Sequence, residues 1–599
     1  MNLDAQKYSD QFMDWLKEFG YTHCFYLGGG NVMHLLESAS HRFKCVPFVH
    51  EVGAGIAADY FNEVSDSEKA FVLVTAGPAL TNLVTAIAGA WTESRELLVI
   101  GGQAKVSDLS RGKYRQIGFQ ELDGQTICKS ITKASVTIDH RISKQSLFNF
   151  CQETWTGRKG PVFLEFCLDI SAAPASSELE INFEDSVNSS QPLYDLDQSA
   201  MNAVVEQLKV AKRPLILIGG EFPRDSVDLL EEFKKWGIPI ATTFNGADRI
   251  GIEYKFFAGR PNWYGSRWSN LILQQADLLI TIGSRLGLLQ VGYNWEEFAP
   301  LASKVHVYLD SDELEKSFPK SDIRIHSSSR LFVEKLLDEL FNVRFMPDLS
   351  EWQELVTIVR KDLAIPDKAN KCEEQYLELH HFIYNLFNQL KPGDVIVPCS
   401  SGGTYTGTMQ VMMNKSGQKI VTSNALASMG VGLSGAIGAA IANPESRTIL
   451  LEGDGGFAQN MQELGTVKAN KCNIKVFISD NRGYASIRTT QKTYFENHYV
   501  GCDEETGLGL PDWQKVGEAY EIPTFLVTPS SAFNQDFLKL LETAGPAIFV
   551  LKLDPDQLYF PKLGSRIAND GKMKSAPLHK MDPQLTAEEE QKYMPYLRE

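Results

Sequence analysis

Short apolar runs punctuate this chain, without the strict polar–apolar alternation of a sheet that faces water on one side. An early set lies at 71–74, 97–100 and 162–166, a second at 214–218, 238–242, 277–282 and 304–309. A third lies at 394–398, 419–422, 448–451, 474–478 and 547–553. Helical segments separate them. Strands apolar on both faces and spaced by helices imply parallel sheets covered on both sides. The expected fold is therefore α/β, with three doubly wound parallel-sheet domains. The expected boundaries are 1–175 for the first domain, 190–345 for the middle one and 375–560 for the third. An acidic, serine-rich linker occupies 176–191, and a charged helical stretch, 331–390, crosses from the second domain to the third. The tail, 561–599, is rich in Lys, Glu and Pro and shows no strand pattern; it reads as a cover over a site mouth or as a loosely held arm.

Bulk properties narrow the function classes. The 599 residues carry a formal net charge of −17 with no basic run, which argues against nucleic acid and anionic membrane as partners. Nine cysteines are scattered without a Cys-x-x-Cys pair, against a structural zinc site or a disulfide framework. Residues 1–20 hold several charges and no apolar core, so no signal peptide is expected. The longest apolar stretch, 427–442, is glycine-rich and too short to span a bilayer. A cytoplasmic enzyme is the expectation. Within that stretch, Gly430-Val431-Gly432-Leu433-Ser434-Gly435 matches a dinucleotide fingerprint formally, but a close-packed helix explains it better.

The chemistry concentrates at two places. In the third domain, an apolar strand at 448–451 delivers Gly453-Asp454-Gly455-Gly456, a helix is expected over 459–469, and the next strand ends at Asp480-Asn481. A carboxylate and an amide oxygen on neighbouring strand ends make a small hard-oxygen site, suited to Mg²⁺ carrying a diphosphate. A tight turn of an ordinary α/β domain would carry the same triplet, so the reading needs a second support. It lies upstream, where a short strand at 46–49 leads into His50-Glu51 and a helix expected over 54–60.

Together these resemble the thiamine diphosphate (ThDP) enzymes, and the likeness extends to their acetohydroxyacid (acetolactate) synthase branch over nearly all of 1–560. Phe25-Tyr26-Leu27-Gly28-Gly29-Gly30 resembles that branch's first glycine turn, and the run from Leu73 through Thr75, Gly77 and Asn82 its second. Gly118-Phe119-Gln120-Glu121 is similar to the loop beside the reacting carbon, and Ala427-Ser428-Met429-Gly430 to the segment that grips the pyrimidine. The resemblance implies that Asp454, Asn481 and the Gly483 carbonyl hold Mg²⁺, with Gly453, Gly455, Gly456 and Tyr484 around the diphosphate. Ser401, Gly402, Gly403 and Thr404 follow a strand end and suit the same diphosphate. It implies that Glu51 hydrogen-bonds the aminopyrimidine and so activates the cofactor, that Met429 wedges beneath it, and that Phe119 and Gln120 shape the reacting pocket. Glu51 and Asp454 lie in different domains, and the family joins the first domain of one subunit to the third of another. A homodimer is the implied minimum, and a tetramer is compatible.

Departures limit the transfer. The family's flavin-binding stretch is replaced by Gly283-Ser284-Arg285-Leu286-Gly287-Leu288-Leu289, without its two acids and second Arg, and a neighbouring segment reads Gly259-Arg260-Pro261-Asn262-Trp263-Tyr264. These changes argue against FAD, although the second segment could hold some nucleotide. After Asn481 the chain lacks the Trp that narrows the acceptor pocket in the biosynthetic enzymes. The expected reaction is decarboxylation of a small 2-oxo acid, such as pyruvate, with transfer of the two-carbon unit to a carbonyl acceptor larger than pyruvate. A keto-sugar nucleotide fits, by likeness to synthase-like proteins of surface-polysaccharide pathways. A simple decarboxylase and a catalytically silent partner subunit stand as alternatives.

Overall fold

The computed structural model describes residues 6–175, 196–399, 402–567 and 573–597. The linker expected at 176–191 and the candidate Ser401 lie outside them.

The first sheet holds β1 (Tyr21–Leu27), β2 (Lys44–Pro47), β3 (Lys69–Val74), β4 (Leu97–Gln103), β5 (Ala134–Ile138) and β6 (Pro161–Cys167) in the order β2-β1-β3-β4-β6-β5. The second holds β7 (Pro214–Ile218), β8 (Ile240–Thr242), β9 (Leu278–Ile282), β10 (Ser303–Tyr308) and β11 (Ile323–His326), ordered β11-β10-β9-β7-β8. The third holds β12 (Val395–Pro398), β13 (Lys419–Ile420), β14 (Thr448–Gly453), β15 (Ile474–Asp480), β16 (Thr524–Val527) and β17 (Ala547–Lys552), ordered β13-β12-β14-β15-β17-β16. Every pairing in these three sheets is parallel, as the uninterrupted apolar runs predict. Central strands β4, β6, β7, β9 and β14 are buried along their whole length. Helices cover both faces, so the carboxyl edge of each sheet is left as the natural place for a site.

Three expectations about helices need correction. The helix after His50 begins at Glu51 and runs to Val64, with His50 extended as its N-cap, so Glu51 is a helix-start residue rather than a loop residue before one. The helix expected over 459–469 starts later, as a 3₁₀ segment at Met461–Glu463 running into a helix at Leu464–Ala469, and a separate short helix precedes it at Asp454–Phe457. Asn460 separates the two: its backbone is non-helical, and its side-chain amide donates to Gly430 O instead. The stretch 331–390 is three helices, Ser329–Asn342, Ser350–Leu363 and Leu379–Gln389. Pro347 and Pro366 lie in the two breaks.

The tail also differs from its pattern-free reading. Short strands β18 (Lys562–Leu563) and β21 (Met581–Asp582) pair antiparallel, as do β19 (Ser565–Ile567) and β20 (Met573–Ser575), and a helix follows at Ala587–Tyr593. Leu578, Met581, Tyr593 and Met594 are buried, and Leu578, Tyr593 and Met594 join the core of the middle unit. Arg267 on a middle-unit helix donates to the Met581 and Pro583 carbonyls. The described tail is thus fastened to the middle unit. Strand alternation is invisible in pairs only two or three residues long.

Candidate active site

At the carboxyl edge of the third sheet, β14 ends at Gly453 and β15 at Asp480, in register side by side. Asp454 follows directly and is almost fully buried. Its Oδ1 accepts the Gly455 N–H at 2.7 Å, and its Oδ2 accepts the N–H groups of Asn481 (3.2 Å) and Gly483 (3.0 Å). One carboxylate thereby gathers both strand ends. Burial pushes the Asp454 carboxyl up to about 7, against the pull of the Gly483 amide and with help from the negative charge of Asp480. A buried carboxylate raised by desolvation favours a cation beside it.

Asn481 is buried as well, and its side-chain Oδ1 has no hydrogen-bond partner. An unsatisfied buried oxygen next to a buried carboxylate is costly unless a ligand takes it. Together they form a donor set that a small hard cation fits. Gly483 sits at φ +141, and a Cβ there would run into the Cys502 carbonyl, so only glycine makes this turn. Arg488, buried on the helix Ala485–Tyr494, braces the turn by donating to the carbonyls of Asn481 (3.3 Å), Arg482 (3.2 Å) and Pro555 (2.7 Å).

Gly402 and Gly403 open the helix Gly402–Val411, with buried Thr404 behind them. Gly402 backs onto Ser486 and Gly403 onto the ring of Tyr559. Tyr484 lies over Gly455, so the diphosphate candidates of 402–404 and 453–456 share one wall with 484–486. Ala427 adopts a left-handed backbone (φ +52), and Met429 Sδ lies 3.6 Å from the Gln459 amide nitrogen.

A second cluster forms at the carboxyl edge of the first sheet. Glu51 is buried, and its Oε2 accepts the Asn82 side-chain N–H at 3.0 Å. Asn82 rides on the helix Pro78–Glu93, which starts from the turn after β3. Gly28 and Gly29 follow β1, and Gly29 packs against the side chain of Thr75. The Gly77 backbone packs against Gln120, whose own φ is +59, while Phe119 stands 83% exposed. Glu121 shapes this loop: its carboxylate accepts the N–H groups of Ser110, Ile117 and Gly118, and Gln103 Nε2 donates to Leu122 O at 2.6 Å. Burial raises the Glu121 carboxyl, but the amides of Ile117, Ser110 and Gly118 outweigh it and hold the group below its ordinary value.

Among the described residues, no hydrogen bond or ion pair links the Glu51 carboxylate to the Asp454 cluster. The units meet where helix Glu51–Val64 packs on helix Val431–Ala442 and where Glu463 accepts the N–H groups of Val49 (3.3 Å) and His50 (3.0 Å). Among the described residues, the Glu51 carboxylate accepts one hydrogen bond, that from Asn82.

Comparison with known proteins decides what this pair of clusters belongs to. The N-terminal TPP binding domain of thiamine pyrophosphate enzymes matches residues 6–127, their central domain 201–336 and their C-terminal TPP binding domain 401–551. The chain is 29% identical to the acetolactate synthase large subunit of Lactococcus lactis subsp. lactis (strain IL1403), over 94% of this chain and 95% of that protein. It is 26% identical to the acetolactate synthase isozyme 1 large subunit of Escherichia coli (strain K12), over 90% and 93%. It is 27% identical to the acetolactate synthase large subunit of Porphyra purpurea, over 93% of each. The chain belongs to the ThDP-dependent enzymes, in their acetolactate synthase-like branch.

Within this ThDP enzyme the middle unit does not repeat the pattern of the other two. A cleft of about 770 Å³ opens between the units, lined among others by Glu93, Arg95, Arg158, Glu221, Asn245 and the 283–290 loop. Most of its basic groups are committed: Arg95 to Asp59 and Thr422 O, Arg158 to Asp310 and Glu313, Arg224 to Asp248 and Glu63. Glu221 accepts the N–H and hydroxyl of Ser329 at the start of the helix Ser329–Asn342. A carboxylate thus sits at the N-terminus of this helix, where the helix dipole favours negative charge. In the segment 259–264, Arg260 is buried and spends its guanidinium on Met409 O, Met412 O and Asn414 Oδ1. No helix among the described residues is long and apolar enough to cross a membrane.

Residues missed from the sequence are Glu121, Arg488, Tyr559 and Glu93. Glu93 and Tyr559 act on segments far along the chain, while Glu121 and Arg488 bind backbone groups of nearby turns, which no side-chain spacing marks.

Proposed function

We propose that this enzyme binds ThDP through Mg²⁺ at the third-sheet edge, decarboxylates a small 2-oxo acid, with pyruvate the first candidate, and couples the two-carbon unit to a carbonyl acceptor. The observation that carries this is the unpartnered Asn481 Oδ1 beside the buried Asp454 carboxylate, on adjoining strand ends. Asp454, Asn481 and the Gly483 carbonyl would ligate the metal, and 402–404, 453–456 and Tyr484 would cradle the diphosphate.

ThDP, once bound, supplies a carbon nucleophile for the 2-oxo carbonyl and an electron sink that lets CO₂ leave. The chain's own groups do the rest. Glu51, aimed by Asn82, hydrogen-bonds the aminopyrimidine and holds or gives up a proton there. Met429 supports the ring from below. Gln120 offers a neutral N–H to the reacting carbonyl or to the acceptor, and Phe119 walls the pocket against water. Glu51 and Asp454 lie in different units, and by likeness to the family, which joins the first domain of one subunit to the third of another, the complete site is read as lying between two subunits, a homodimer at least.

The acceptor is proposed to be larger than a second pyruvate, a keto-sugar nucleotide being the leading class. The stretch after Asn481 lacks the Trp that narrows the acceptor pocket in the biosynthetic enzymes, Ser486 packs beside Gly402, and Ile487 is 46% exposed. FAD is left out of the reading, because the 283–289 loop lacks the flavin-contacting acids and Glu221 takes the helix N-terminus. Carbon-13 pyruvate offered with candidate acceptors tests the proposal. Labelled coupled product supports it, labelled acetaldehyde alone supports a simple decarboxylase, and no CO₂ release from a panel of 2-oxo acids supports a silent partner subunit.

A further inference from the structure

One carboxylate, that of Glu93, touches all three units. It ends the helix Pro78–Glu93 of the first. Its Oε1 accepts the N–H groups of Asn424 (2.5 Å) and Ala425 (2.6 Å) and the hydroxyl of Ser423 (3.3 Å), all on the third. Its Oε2 accepts the Asn245 side-chain N–H (2.7 Å) on the middle unit. Four donors on one charged group form a strong junction.

What lies just beyond the junction gives it meaning. Two residues after Ala425, Ala427 is held at φ +52, a region non-glycine residues enter only when their surroundings impose it. On the far side, Asn460 Nδ2 donates to Gly430 O at 2.6 Å. The 426–429 segment is therefore strung between two anchors, Glu93 before it and Asn460 after it, while Ala427 itself faces solvent.

We propose that Glu93 is a positioning residue for the cofactor: it fixes 423–425 and so sets the 427–429 grip against the aminopyrimidine. This rests on the reading that 427–429 touches that ring. Glu93 lies on the same helix as Asn82, about 16 Å away along a rigid axis. That helix thus orients Glu51 near one end and the grip at the other.

The test uses the full-length protein and calorimetry with two probes at saturating Mg²⁺, ThDP and inorganic pyrophosphate. Glu93→Ala is expected to weaken ThDP about tenfold, the scale of one charge-assisted hydrogen bond, and to leave pyrophosphate unchanged, because the lost contact acts only at the pyrimidine end. Glu93→Gln keeps an accepting oxygen and is expected to fall between Glu93→Ala and wild type; it carries the comparison if Glu93→Ala does not fold. Equal ThDP affinity in variant and wild type overturns the inference, and so does parallel weakening of both probes, which would mark Glu93 as a fold residue. A wild-type protein that takes up no ThDP breaks the underlying reading instead, and the inference falls with it.

Discussion

The first and third sheets are the same object used in two ways. Both have six strands, and numbered within each unit their orders are identical, 2-1-3-4-6-5. The third puts its acid directly after its third strand, where Asp454 collects the amides of a neighbouring strand end and faces an unpartnered amide oxygen. The first has Thr75 at the matching place, and puts its acid instead at the start of the helix after its second strand, where Glu51 accepts a hydrogen bond from Asn82. On the proposed reading, one edge holds a metal-bound anion and the other presents a single aimed carboxylate. The middle sheet, one strand smaller, has neither device and closes its helix N-terminus with Glu221. Identical topology thus fixes where a site can be; a few residues at strand ends fix what it does.

The contrast can be broken by exchanging what each edge loses. Asp454→Ala is expected to abolish ThDP uptake in calorimetry and to cut turnover on the order of 10³-fold or more, since the anchoring charge goes. Glu51→Gln should keep ThDP affinity close to wild type while kcat falls about 10²- to 10³-fold, the scale of a lost proton-transfer group. If Glu51→Gln lost cofactor binding as fully as Asp454→Ala, the two edges would not differ as described. Asn82→Ala should cost less, about tenfold in kcat with little change in cofactor affinity, because Glu51 remains but is no longer aimed.

The smallest effect concerns the joint rather than either edge. Glu63 lies between Arg224 of the middle unit and Arg95. Burial opposes its ionisation, yet the two guanidiniums hold its carboxyl down to about 2, against an ordinary 4.5. A carboxyl depressed in the folded state stabilises the fold above its unfolded value, and that stability is lost as pH falls from about 4.5 toward 2. Acid unfolding followed by circular dichroism should show Glu63→Gln less stable than wild type at neutral pH and flatter across that window.

The sheets were largely legible in the sequence because central parallel strands are apolar on both faces. Four strands of these sheets escaped: β5, β11 and β16 are half-exposed at sheet edges, and β1, though interior, carries Thr22 and His23 within its run. The break at Asn460 was hidden for another reason. Its cause is a hydrogen bond to Gly430, thirty residues away, which competes with a locally sound helix. The site showed the same division. Motif residues such as Asp454, Asn481 and Glu51 can be found by spacing, whereas Glu121 and Arg488 hold backbone turns whose need appears only in the folded chain.

The central claim is that a working site needs the first unit of one chain and the third unit of another. Co-expressing Glu51→Gln and Asp454→Ala chains under separate tags, and assaying the doubly purified and the mixed populations, tests it most directly. A hybrid dimer then owns one site with both residues intact, so random assortment should restore about a quarter of wild-type activity from two inactive parents. A mixture as inactive as its components would contradict the account.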